Sequence, residues 1–98
     1  MDIRSSSILE AVKVAKTAKL IKLKVDTGID VRTIVSGIAE HFTAEELPGK
    51  IISVIVNLAP RTIKGIESKG MVLLAEDENG KLVFVTPEQN IRNGSPVK

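Results

Sequence analysis

Two stretches of the chain carry a strand signature. Ile21, Leu23 and Val25 alternate with Lys22, Lys24 and Asp26, the period of a half-buried strand. Ile51 to Val56, I-I-S-V-I-V, is β-branched and too short for a helix, so it predicts a buried strand. Val31 to Val35 follows Leu23 to Asp26 across T-G-I-D and predicts a hairpin. Met71 to Ala75 and Lys81 to Val85 flank D-E-N-G at Asp77 to Gly80, a second hairpin signal. Ser36 to Leu47 favours a short helix, with Thr43 ahead of Ala44, Glu45 and Glu46, and Pro48-Gly49 closing it. Pro87 to Lys98 is rich in Pro, Asn and Gly and predicts an irregular tail. The first quarter supports two readings. Ser7-x-x-Glu10 has capping-box spacing, and Ile8, Ala11, Val12, Ala15 and Ala18 would line an amphipathic helix over Ser7 to Lys22. The alternation that starts at Ile21 argues instead for strands.

Length and composition narrow the function classes. Ninety-eight residues form one domain, 1–98, with a modest core, and 43% hydrophobic content excludes a disordered tail. No apolar run reaches membrane-spanning length, and Met1 to Ser7 lacks a signal-peptide pattern. With no cysteine, disulfides, thiolate metal sites and cysteine catalysis drop out together, and a cytoplasmic address is the expectation. His41 is the one histidine and stands beside Phe42 at a predicted helix end, a structural or capping position rather than a catalytic one. The serines lack a base in a nucleophile pattern, and no G-K-[S/T] follows Gly65 or Gly70. The acid pairs sit in predicted turns or helix ends. Neither catalysis, a cofactor nor a metal is expected.

The net charge of +2 is too small to argue for a polyanionic partner, but its distribution is uneven. Lys13, Lys16, Lys19, Lys22 and Lys24 follow one another with no acid between them, and a second positive zone runs from Arg61 to Lys69. The two zones either converge in the fold or remain ordinary solvated faces; charge alone leaves both open. Asn57 to Met71, N-L-A-P-R-T-I-K-G-I-E-S-K-G-M, is the most informative stretch. It supplies point charges for phosphates, short polar groups, and glycines that permit close backbone approach. The same residues also suit a plain structural loop, with Pro60 fixing a turn and the glycines taking positive φ.

The pattern N-L-x-P-x-x-I-x-G-x-x-S-x-G-M, together with the upstream I-V-S-G-I-A at Ile34 to Ala39, resembles the tRNA-binding domain of the methionyl-tRNA synthetase C-terminal type. Stand-alone tRNA-binding proteins, endothelial monocyte-activating polypeptide and the CsaA chaperone share that domain. The resemblance covers Asp2 to Val97. D-I-R-x-x-x-I-L-E-A and K-L-I-K-L-K-V-D-T-G are similar to the family's first two strands, so strand, loop, strand is the expectation for the first quarter. The implied fold is all-β, a five-stranded OB-fold barrel with a short helix between strands 3 and 4, which the periodicity permits.

The implied function is structure-selective tRNA binding by a homodimeric domain that raises the tRNA affinity of a synthetase catalytic body. Met1 would then start an excised piece of a longer protein. By motif position the tRNA-binding residues would be Asn57, Arg61, Lys64, Ser68 and Met71, with Lys19 adding charge from the first inter-strand loop. The alternatives are a CsaA-like peptide-binding export chaperone and a module that mainly dimerises the synthetase. Two departures from the family pattern stand out. Ser5, Ser6 and Ser7 replace an expected valine and glycine, which should loosen the first strand and weaken the dimer. Val14 to Leu20 lacks the family's acid before Lys19, which leaves that loop more basic.

Overall fold

Ile21, Leu23 and Val25 are almost fully buried while Lys22 and Lys24 are exposed, so the alternation places one face of strand β2 (Ile21–Asp26) in the core. The computed structural model describes residues Met1–Lys98. Strand β1 is Ile3–Lys13, β3 is Val31–Ser36 and β4 is Ile51–Ile55. Five short strands follow: β5 Arg61–Ile63, β6 Ile66–Ser68, β7 Met71–Val72, β8 Leu74–Glu76 and β9 Leu82–Phe84. One antiparallel sheet in the order β3-β2-β1-β4-β7 curls into an OB-like half-barrel. Two hairpins, β5–β6 and β8–β9, stand beside it.

The first quarter is strand, loop, strand. β1 pairs with β4 from Ile3↔Ile55 to Ser7↔Ile51, and with β2 from Ser7↔Asp26 to Lys13↔Ile21. The register with β2 shifts between Ile8 and Glu10, a bulge that bends the strand from one partner to the other. A helix over Ser7–Lys22 would forfeit both ladders. Ile8 joins Leu23, Ile34, Ile52 and Val54 in the core.

The predicted helix at Ser36–Leu47 is reduced to a single 3₁₀ turn at Ala44–Glu46. Thr43 sits in extended conformation (φ −88°, ψ 149°), which separates that turn from the one in which the Ile38 carbonyl accepts from the His41 and Phe42 amides. Ile38 and Leu47 are both buried, and the chain between them follows those two anchors rather than its helix propensity. The predicted Met71–Ala75 strand divides at Leu73, whose amide donates to the Ser53 carbonyl. β7 therefore stays with β4 while β8 turns away to pair with β9.

The tail is irregular yet firmly attached. The Ser5 amide donates to Ser95 O (2.9 Å), Gly94 N–H donates to Ser5 O (2.8 Å) and Val97 N–H to Ile3 O (2.8 Å). The three serines of β1 all have hydrogen-bond partners within the fold. Ser5 and Ser6 are buried, Ser5 Oγ donates to Arg92 O (2.9 Å), and Ser7 Oγ donates to Asn93 Oδ1 (2.8 Å). Hydroxyl bonds to the tail stand where apolar packing was expected. Gly28 (φ +85°), in the β2–β3 turn, lies backbone to backbone against Asn93 and Gly94, where any side chain would overlap the Asn93 carbonyl.

Candidate nucleic-acid interface

The half-barrel is open between β3 and β7, and the Asn57–Met71 segment fills that seam. Lys69 N–H donates to Thr33 O (2.9 Å), and Ser68 Oγ accepts from the Val35 amide (3.0 Å). A serine hydroxyl thus satisfies a buried backbone N–H that a continuous ladder would otherwise pair. Between the two ends the segment makes the β5–β6 hairpin, in the register Arg61↔Ser68, Thr62↔Glu67, Ile63↔Ile66. Lys64 (φ 51°) and Gly65 (φ 79°) form its two-residue turn, both with positive φ as a type I′ turn demands. Lysine in that conformation is uncommon, so Lys64 projects from a tight, slightly strained tip.

Opposed residues of an antiparallel pair share a face, so the register sets Arg61, Ile63 and Ser68 on one side. With Leu58, Met71, Ser36 and Gly37 they line a groove of about 520 Å³. Arg61 is exposed and Met71 is 48% exposed, whereas Ser68 is only 4% exposed on the groove floor. Lys19 does not line this groove, but its backbone is held next to one wall of it. Its carbonyl accepts from the Ala39 amide (3.0 Å), which docks the β1–β2 loop on the Gly37–Ala39 rim. Asn57 and Lys64 do not line this groove. Asn57 Oδ1 accepts from the Asp2 amide (2.8 Å), and Lys64 stands at the hairpin tip.

A second, larger groove of about 700 Å³ runs on the other side of the hairpin, between Gly65–Glu67 and the outer face of β1–β3. Lys22, Lys24 and Lys69 line it together with Glu10, Asp30 and Glu67. Lys24 pairs with Glu10 (3.6 Å) and Lys69 with Glu67 (3.4 Å), which leaves Lys22 as the groove's cation without an ion pair. The five-lysine run therefore divides: Lys22 and Lys24 belong to this face, while Lys19 belongs to the loop beside the smaller groove.

Arg32 was not among the residues singled out from the sequence. Its Nε and Nη2 donate to Asp30 Oδ1 (2.9 Å) and Oδ2 (2.7 Å), and its Nη1 donates to Val56 O (2.8 Å) and Lys69 O (3.0 Å). The Arg32 fork holds the Asp30 carboxyl below the ordinary carboxylate range against the opposing effect of partial burial, and Thr27 Oγ1, donating to Asp30 Oδ1 (2.7 Å), reinforces it. In return the Asp30 carboxylate raises the Arg32 pKa. The sequence offers a local signal for the ion pair alone, the D-x-R spacing that sets Asp30 in the turn just before β3 and Arg32 within the strand.

The family model described as "Putative tRNA binding domain" matches residues 3–96. Methionine–tRNA ligase of Flavobacterium johnsoniae is 60% identical over 97 residues, covering 99% of this chain and 14% of that protein. The Parabacteroides distasonis methionine–tRNA ligase is 53% identical over 98 residues, with 100% and 14% covered. The chain thus spans about a seventh of the curated relatives it matches. Among solved structures, a methionyl-tRNA synthetase related protein from Pyrococcus horikoshii superposes with a TM-score of 0.92 at 41% identity, covering 99% of this chain and 89% of that one. The chaperone CsaA of Bacillus anthracis gives 0.88 at 26% identity, covering 99% and 90%. A family match over almost the whole chain, and relatives that contain it as a small part of a ligase, place this protein in the tRNA-binding domain family, in the form found within methionine–tRNA ligases.

Proposed function

We propose that this domain binds folded tRNA as an appended part of a methionine–tRNA ligase in the cytoplasm, raises that enzyme's affinity for tRNA, and acts as a homodimer. The observation that carries the reading is the meeting of Arg61, Ser68 and Met71 around one groove with the Lys19 loop on its rim. Arg61 and Lys64 pair with phosphates and Lys19 adds to their field. Asn57, through its free amide hydrogens, and Ser68, through its hydroxyl proton, donate to phosphate or ribose oxygens. Met71 offers a soft apolar contact to a base.

Recognition is by shape, with limited base reading. Sequence-tolerant binding of single strands relies on aromatic platforms. The only two aromatic rings here, Phe42 and Phe84, stack on each other with centroids 4.7 Å apart, away from the groove. The domain itself carries out no step of aminoacylation; its contribution is to hold the RNA for a catalytic body elsewhere.

One observation favours a second reading. Leu58, Ile63, Met71 and Val72 make part of the groove apolar, which suits an extended peptide as a CsaA-like chaperone would hold it. The deciding experiment measures affinity for folded tRNA, duplex DNA, a poly-pyrimidine strand and an unfolded peptide across a salt series. Folded tRNA should bind tightest, with a steep loss as salt rises from counterion release. Tighter binding of peptide or single strand, or an affinity indifferent to salt, would sink the tRNA reading.

A further inference from the structure

Both main-chain partners of the Arg32 guanidinium lie at the edges of the segment that builds the smaller groove. Val56 immediately precedes Asn57, Lys69 immediately follows Ser68, and Arg32 Nη1 donates to the carbonyls of both (2.8 and 3.0 Å). The remainder of the fork is spent on Asp30, itself held by the Thr27 hydroxyl, and the Arg32 side chain is only 13% exposed. A guanidinium engaged in this way has little left for a phosphate. What it does have is a fixed distance between two main-chain carbonyls, and a planar fork transmits that distance rigidly. The other links across the seam at this end are the Lys69 amide and the Ser68 hydroxyl.

We propose that Arg32, oriented by Asp30 and Thr27, is a positioning residue for RNA binding: it pins both ends of the 57–68 excursion and so sets where Arg61 and Lys64 stand, without touching the RNA. The claim rests on the tRNA-binding reading. It makes a forecast opposite in sign to that of simple electrostatics. Asp30 is a carboxylate beside a surface meant for a polyanion, so Asp30→Asn should tighten tRNA binding if only the field matters. With Arg32 as a positioning residue the same change frees the fork and weakens binding, by about tenfold if the segment loses the ordering of one charge-assisted hydrogen bond.

Arg32→Lys keeps the charge but cannot bridge two carbonyls and a carboxylate, so it should weaken binding to a similar degree. Thr27→Val removes only the hydroxyl and should weaken binding less, about threefold. The same proteins are followed by amide hydrogen exchange. Amides of the Arg61–Ser68 hairpin should exchange faster in the variants while those of the β1–β2 ladder stay unchanged, a localisation that general destabilisation would not produce. Wild-type or tighter binding by Asp30→Asn, or an Arg32→Lys protein with wild-type affinity, would overturn the proposal. If the Asp30 and Arg32 variants fail to fold, Thr27→Val carries the test alone, and wild-type affinity with unchanged hairpin exchange would overturn the proposal. If the unaltered protein binds no tRNA, the functional reading falls. Hairpin exchange in the variants then decides the positioning claim: faster exchange supports it, and unchanged exchange overturns it.

Discussion

Ser68 and Asn57 have the same motif origin but different surroundings, and single substitutions should separate them. Ser68→Ala leaves the Val35 amide without a partner in a buried place, so it should cost about 1–3 kcal/mol of stability in a denaturant titration, beyond any loss of tRNA affinity. Asn57 is exposed, and Asn57→Ala should leave stability nearly intact while weakening tRNA binding by on the order of 1 kcal/mol, with little change in salt slope. Arg61→Ala and Lys64→Ala should each flatten the salt slope by about one unit, whereas Lys81→Ala, in the β8–β9 turn, should be silent. An equal effect from Lys81 would mean a diffuse field rather than a site. Asp30 adds a pH dependence of definite sign. Its folded pKa lies below the unfolded value of about 3.9, so its stabilising contribution is complete above that pH and is lost as pH falls through the folded value. Acid titration of stability should therefore show a shallower decline below about pH 4 for Asp30→Asn than for the unaltered protein.

Among the elements, β2 and β4 were legible because burial follows local alternation or a local apolar run, and both stand in the fold within two residues of the expected bounds. The D-E-N-G hairpin was legible because turn chemistry is local too. The Ser36–Leu47 helix was not, since two buried anchors, Ile38 and Leu47, overrule a propensity that rests on few residues. The β5–β6 hairpin escaped notice because its turn is Lys64-Gly65 rather than the Asn-Gly that usually announces type I′. Three of the six site residues meet in one groove, but the tie from Arg32 to the segment was not legible, because its carbonyl partners lie 24 and 37 positions away and carry no side-chain signal. The turn between β2 and β3 offers a sharp test of element packing. Gly28→Ala combines a positive φ with overlap on the Asn93 carbonyl, and should cost about 3 kcal/mol or more, read as a lowered denaturation midpoint. Ala at Gly49, also at positive φ but with open space around it, should cost less.

For the whole molecule, the proposed homodimer is decided by analytical ultracentrifugation at micromolar concentration, where a two-fold assembly is expected and a clean monomer would remove that part of the proposal. Ser5→Val would not be a neutral probe of the same question, because it removes the hydroxyl bond from buried Ser5 to Arg92 O that helps to tie the tail to β1. The attachment of the tail has a consequence for architecture. Val97 N–H reaches Ile3 O and Arg4 bridges to Pro96, so the polypeptide enters and leaves the fold at one point on its surface. A unit of that shape behaves as a cassette: it can be hung from a larger protein or spliced into a surface loop without prising the host apart. Joining Lys98 to Met1 through a few glycines and opening the chain between Asn79 and Gly80 should accordingly yield a permuted protein. It should melt cooperatively and bind tRNA within about threefold of the original, since none of Met1, Asn79, Gly80 and Lys98 lines the groove. A permuted chain that fails to fold would show that the order of synthesis, and not only the adjacency of the ends, is built into this domain.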